Sequence, residues 1–217
     1  MSETNIILSL IPVFFSIILH EVAHGYAALK LGDDTAQRQG RLSLNPLRHV
    51  DWFGTVFLPL TLLWSGSPFL FGWAKPVPVN FNRLRHVRRD TVIVASAGII
   101  VNAVLAIFAV IMLAQRLSSM LMAAFCFNLL IINLSLIFLN ILPFPPLDGS
   151  KMFFGWINKT WACRYVAAER QGMFVLILLA VFVPVVERMF GLTSFEMLDP
   201  LGWYMHTMFE LVLGSFV

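Results

Sequence analysis

Charge is what this chain has least of. Only 12% of its 217 residues are Asp, Glu, Lys or Arg, against 59% apolar, a balance that excludes an ordinary soluble globular domain. Cysteine is nearly missing as well: Cys126 and Cys163 are the two present, they form no CxxC pair, and they suggest no disulfide framework. Basic residues outnumber acidic ones only modestly, 15 to 12, and gather between the apolar segments instead of forming a tail or an aromatic-interleaved patch. Nucleic acid is therefore not an expected partner. The first five residues carry Glu3 and no Lys or Arg, and no Ala-x-Ala site follows, so the first apolar segment is expected to stay attached instead of being cleaved as a leader. No internal repeat or low-complexity stretch divides the chain.

What is abundant is long apolar sequence. A hydrocarbon core of about 30 Å is crossed by about 20 helical residues, and candidate spans run from Asn5 to Leu29, Thr91 to Gln115, Met120 to Leu142, Met173 to Val186 and Leu201 to Val217. The stretch Trp52 to Trp73 is different, because Gly54, Pro59, Gly66, Pro68 and Gly72 interrupt it and a straight helix is not expected there. Lys and Arg favour the cytoplasmic side in short loops. Residues 30–51 and 74–90 are both rich in them, so Trp52 to Trp73 is expected to enter and leave by one face as a re-entrant hairpin. Alternating polarity from Gly40 to Leu44, together with Val77-Pro78-Val79-Asn80, predicts a small β element at the membrane surface. The fold class expected is an all-α polytopic membrane protein of about five to six transmembrane helices, one domain over 1–217 with a catalytic core at about 5–155 and accessory helices at about 156–217. The active site should face the cytoplasm.

Against this apolar background, Ile17-Ile-Leu-His20-Glu21-Val-Ala-His24 stands out. Histidines four apart share one helix face and can reach one ion at about 2.0 to 2.1 Å, while Glu21, about 100° around the helix, is placed to touch water instead of ligating. This is the HExxH pattern of zinc hydrolases. An unpaired ionisable group at mid-membrane costs about 2.5 to 3.5 kcal/mol on insertion scales, which argues that a metal compensates the pair. A catalytic zinc takes three protein ligands and keeps a fourth position open. Asp148, in Asn140-Ile-Leu-Pro-Phe-Pro-Pro-Leu-Asp148-Gly149, is the candidate third ligand, because the topology brings it out on the same side as His24. The plainer alternative makes Asp148 a cap for the helix beginning near Ser150. His49 and His86 lie in basic stretches and read as surface or headgroup contacts; His206 reads as a hydrogen-bonded helix histidine. Gly32, Asp33, Asp34 and the polar loops of residues 36–50 are candidates to line a water path.

Together these residues resemble the site-2 protease family of intramembrane zinc metalloproteases. His20-Glu21-Val22-Ala23-His24-Gly25 matches its first signature and Asn140 to Gly149 its second, NxxPxPPLDG. The segments Gly40 to Asp51 and Gly72 to Asn80 look like the compact bacterial and archaeal branch that lacks a PDZ domain. Coverage runs from about residue 6 to 155. The chain departs from the family's pattern at Trp52, where Pro is common, and at Ala97-Gly98-Ile99-Ile100-Val101-Asn102, where the family usually has Ala-Gly-Pro-x-x-Asn. The resemblance implies zinc held by His20, His24 and Asp148, Glu21 as general base, and Asn140 hydrogen-bonding the substrate. It leaves Asn102 to helix packing. It also implies a prokaryotic cell-membrane protein acting on transmembrane substrates in the bilayer. A metal-ion transporter or sensor would need further acidic or His residues on neighbouring helices, and an inactive segment-binding relative would have no need of Glu21. Nothing in the sequence sets an oligomeric state.

Overall fold

The computed structural model describes residues 3–65, 72–115, 119–154, 168–169, 171–178 and 207. Described elements are the helices α1 (Glu3–Lys30), α2 (Thr35–Arg38), α3 (Leu58–Ser65), α4 (Val87–Ala114), α5 (Met120–Asn140) and α6 (Asp148–Phe154), with a π-helical turn at Trp52–Phe57 and short 3-10 turns at Pro46–Arg48 and Phe81–Arg83. Three helices among the described residues are long and apolar enough to cross a membrane: Ile11–Lys30, Val87–Ala114 and Met120–Asn140. They match the first three expected spans. Of the span expected from Met173 to Val186, residues 173–178 are described and helical; the rest of it, and all of Leu201 to Val217 except residue 207, lie outside the described residues.

Two compact units divide the chain. The described parts of Met1–His49, Pro76–Pro143 and Leu147–Asn158 form the first, and those of Val50–Lys75, Phe144–Pro146 and Lys159–Val217 the second. In the first unit α4 packs on α1, α5 and α6, and α1 also meets α5. The buried face of α4 is built from Val94, Ala95, Gly98, Asn102, Ala106 and Ala109, and its other faces leave Ile100, Val104, Ile107, Phe108 and Ile111 exposed. Small residues at the interface let membrane helices approach closely, where lipid supplies no hydrophobic drive for association. Ala106 and Ala109 accordingly pack against Leu129 and Leu130 of α5, and Val94 packs against Ala28 of α1 and Leu84.

Gly32, at φ 113°, stops α1. Its N–H reaches the Leu29 carbonyl at 3.2 Å and the Asp33 N–H reaches that of Ala28 at 2.9 Å, the paired bonds of a Schellman ending. Asp33 is then fully buried. Its carboxylate accepts from the Thr35 amide at 3.0 Å, the Thr35 hydroxyl, and the Asn80 amide at 2.6 Å. It is a strut between two loops, and it does not line a water path.

The expected β element is absent among the described residues, where 41–45 and 72–80 form no ladder. Pro76 and Pro78 have no N–H to give, and two of the remaining backbone amides go elsewhere: Val77 donates to Glu21 and Asn80 to Asp33. The strand-like alternation marks an extended loop tied down by carboxylates. His49 also departs from expectation. It is buried, with Nε2 2.7 Å from the Ser43 carbonyl, and fixes the 43–49 turn from within.

In the second unit Asp51 caps the π-helical turn by accepting from the amides of Phe53 and Gly54 at 3.1 and 2.8 Å. Trp73 returns to the same turn: its N–H donates to the Gly54 carbonyl at 3.1 Å, and its carbonyl accepts from the Thr55 hydroxyl at 2.8 Å.

Candidate metal centre

His20 and His24 project from one face of α1 and are 6% and 8% exposed, and Asp148, the first residue of α6, is 7% exposed. The carboxylate arrives there because the chain doubles back after α5. Gly149 lies so close to the backbone of Ile141 and Leu142 that a Cβ would overlap both carbonyls, which only glycine tolerates. Ser150 then bonds the Leu147 carbonyl through its amide at 3.2 Å and through its hydroxyl.

The three side chains converge on one point. His20 Nε2 and His24 Nε2 are 3.0 Å apart, and Asp148 Oδ2 lies 3.0 Å from the first and 3.1 Å from the second. These three residues form the described group able to hold a metal ion. Tetrahedral zinc with bonds of about 2.0 to 2.1 Å sets its ligand atoms about 3.3 Å apart, and the triangle found is within a few tenths of that size. The donors also suit the ion chemically, two imidazoles and one carboxylate, the three-ligand set of a catalytic zinc site.

Hydrogen bonding fixes how one ring presents itself. His24 Nδ1 is 2.7 Å from the Val94 carbonyl. A carbonyl can only accept, so Nδ1 carries the proton and a neutral His24 turns a lone pair at Nε2 into the triangle. Asp148 Oδ2 faces both imidazole nitrogens yet accepts no well-aligned hydrogen bond, as expected of an oxygen aimed at a cation position.

The other expected residues do not join this triangle. The Glu21 carboxylate accepts the Val77 N–H at 2.7 Å. Asn140, at the end of α5, is half-buried, and its side-chain N–H₂ turns back to the Leu136 carbonyl at 3.0 Å; it is not among the converging groups. His86 is exposed at the start of α4, and His206 lies outside the described residues. A residue left to packing is brought to the centre instead: the Asn102 amide is fully buried, 3.1 Å from His20 Nδ1. The Gly98 and Asn102 spacing within the central helix was its one sequence signal.

Comparison with known proteins agrees with this chemistry. Over 180 residues, covering 79% of this chain and 78% of the other, it is 37% identical to the Bacillus subtilis protein named "Putative zinc metalloprotease YwhC". The chain belongs to this zinc metalloprotease family. Two proteins given the same description under the name Rip2 are also similar. The one from Mycolicibacterium smegmatis is 26% identical over 178 residues and the one from Mycobacterium tuberculosis 29% over 178, each match covering 81% of this chain and 66% of the relative. No family model matches, and no solved structure does. Zinc is the cofactor of this family, and His20, His24 and Asp148 are the described group that could hold it.

Proposed function

We propose that this zinc metalloprotease is of the site-2 type, a compact form without a PDZ domain, and hydrolyses peptide bonds within or near the transmembrane segments of other membrane proteins. The observation that carries this reading is the position of His20 and His24 inside the apolar span Ile11–Lys30, with Asp148 brought to them from beyond α5. A protease for soluble substrates has no reason to place its ligands there, given the cost of polar groups at that depth.

In this reading His20, His24 and Asp148 would hold zinc, and the ion would supply Lewis acidity toward water and a peptide carbonyl. Glu21 takes the proton from the attacking water and returns it to the leaving amine. The Val77 N–H anchors Oε2 of Glu21 at 2.7 Å, which fixes the carboxylate and leaves its other oxygen for the proton. Asn140 has one amide hydrogen committed to Leu136, and its carbonyl oxygen is the end that would meet an unwound substrate. Strand addition along 77–80 would compete with Glu21 and Asp33 for amides already used, so we do not rest substrate binding on it.

The same reading makes residues 1–217 one membrane domain of a prokaryotic cell membrane with its centre toward the cytoplasm. Arg83, Arg85, Arg88 and Arg89 are exposed at the start of α4, as cytoplasmic-side residues should be. The two bonds from Trp73 back to Gly54 and Thr55 support a hairpin over 52–73 that returns to the level at which it left. A metal transporter fits less well, because beyond Asp90 neither α4 nor α5 carries a carboxylate or imidazole.

The test is purified protein in lipid, assayed on membrane-spanning peptides and on soluble ones, with zinc measured by elemental analysis. Glu21→Gln should keep one zinc per chain and lose cleavage by about 10²- to 10⁴-fold. Undiminished cleavage by that variant, or cleavage confined to soluble peptides, would sink the proposal.

A further inference from the structure

Three residues of α4 face the metal centre in a single stripe. Val94, Gly98 and Asn102 follow one another at intervals of four, about 6 Å of helix rise each, and each meets the histidine pair. The Val94 carbonyl takes His24 Nδ1 at 2.7 Å, and the Asn102 amide lies 3.1 Å from His20 Nδ1. The pairings 24 with 94 and 20 with 102 run in opposite directions, so α1 and α4 pass antiparallel. Between them, a Cβ built on Gly98 would stand 2.5 Å from His20 Cε1 and 2.6 Å from both His20 Nδ1 and His24 Nε2. That is closer than real carbon contacts allow, so the absent side chain is the space the rings occupy.

We propose that α4 is the template of the metal centre and that Asn102 is a positioning residue, its side-chain carbonyl receiving the Nδ1 proton of His20 so that Nε2 faces the ion with a lone pair. This rests on reading His20, His24 and Asp148 as the zinc ligands. The chemistry requires such a partner. An imidazole that ligates through Nε2 keeps its proton on Nδ1, and a buried N–H without an acceptor is costly. His24 has a backbone carbonyl for that purpose; His20 has Asn102. The amide has a donor end and an acceptor end of nearly equal size, and a half-turn of its last bond exchanges them. The Nδ2 end lies at His20, and the Oδ1 end is buried without a hydrogen-bond partner, so no competing bond holds the amide in one sense.

The assignment makes a prediction that packing alone does not. Asn102→Leu keeps the shape and removes the acceptor; Asn102→Asp keeps an acceptor at both oxygens. Asn133→Leu makes the same swap at another fully buried asparagine, on α5, whose described partners are Ser16 and Leu129. The measurement is zinc affinity of the purified full chain in lipid by chelator competition, with the absorption spectrum of the cobalt-substituted protein as a second readout and thermal unfolding as a check on folding. Asn102→Leu should weaken zinc by about 10- to 100-fold and perturb the cobalt spectrum. Asn133→Leu should do neither, and Asn102→Asp should restore most of the affinity.

Zinc bound as tightly by Asn102→Leu as by the unaltered chain overturns the assignment, as does an equal loss in both leucine variants. If Asn102→Asp does not fold, the two leucine variants still decide the matter. Tight zinc with no peptide cleavage by the unaltered chain would end the proteolytic proposal while leaving this one standing. An unaltered chain that binds no zinc ends both.

Discussion

Ser16 and His20 lie one turn apart on α1 and both are buried, yet the polar groups that meet them are arranged in opposite ways. At Ser16 a donor meets acceptors: Asn133 gives its amide hydrogens to the Ser16 hydroxyl at 2.8 Å and to the Leu129 carbonyl at 2.7 Å. At His20 every atom that meets the others is one able to offer a lone pair. Two imidazole nitrogens and a carboxylate oxygen converge within 3.0 to 3.1 Å, and the proton of His24 is committed to Val94 on the far side of its ring. The first cluster is a hydrogen-bonded tie between α1 and α5, with the Asn133 amide oxygen left over. The second is a group that could hold a cation. Burial of polar groups does not by itself mark a functional site in a membrane helix; a surplus of lone pairs pointing at one place does.

The sharpest way to break that contrast is to crowd the second cluster while leaving all its ligands in place. Gly98→Ala adds one methyl group 2.5 to 2.6 Å from atoms of both rings, and since those rings are held from behind by Val94 and Asn102, they cannot retreat far. Zinc affinity should fall by at least the roughly 10- to 100-fold that follows loss of an outer hydrogen bond, and cleavage should fall with it, while the Ser16–Asn133 tie is untouched. Zinc titration of the purified variant reads this directly. Unchanged affinity would mean that the α1–α4 spacing is set elsewhere and yields easily.

How far the sequence foretells this arrangement depends on whether the signal is local. His20 and His24 are legible because helix periodicity puts residues four apart on one face, and Asp148 because three prolines and a glycine announce a turn whose side of the membrane the charge pattern assigns. Asn102 is 82 residues from the ring it touches, and only the antiparallel passage of α4 along α1 joins them. With Ile99 in place of the family's proline, α4 runs uninterrupted from Val87 to Ala114, so no kink advertises the spot either. The misread loop at 77–80 has the converse cause: its alternation is real, but Glu21 and Asp33, distant in sequence, take the amides that a strand would need. His49 and Asp33 were likewise illegible, since polar residues in a short loop look solvated unless the packing that encloses them is known.

The complementary change falls on the first cluster. Asn133→Leu removes the tie between α5 and α1, a kind of contact worth about 0.6 kcal/mol on average in membrane helices and at most about 1.7. It also removes an amide oxygen that is buried without a partner, which offsets part of the loss. The expected result is a small shift in thermal unfolding with zinc affinity and cleavage unchanged. A loss of zinc in this variant would show that the two clusters are coupled along α1 and would erase the distinction drawn between them.

The smallest effect belongs to a third kind of polar contact, outside the spans. Asp34 accepts from Arg38 at 2.7 Å and from Arg83 at 2.6 Å. The Arg38 hydrogen bond leads the causes that hold its carboxyl below the usual range, with Arg83 adding to it against slight burial. A carboxyl depressed in the folded state stabilises it at pH values above the ordinary carboxylate pKa of about 3.9. That contribution is lost as pH falls through the lower, folded value. Asp34→Asn should therefore lower the unfolding temperature slightly at neutral pH, and the gap from the unaltered chain should close both in strongly acidic solution and at high salt, because exposed ion pairs are screened. Zinc affinity should not change at any salt concentration, since nothing in this clasp reaches the triangle. A salt-independent loss of zinc in Asp34→Asn would mean that the loops it joins, one ending α1 and one leading into α4, set the distance between the two helices that hold the histidines.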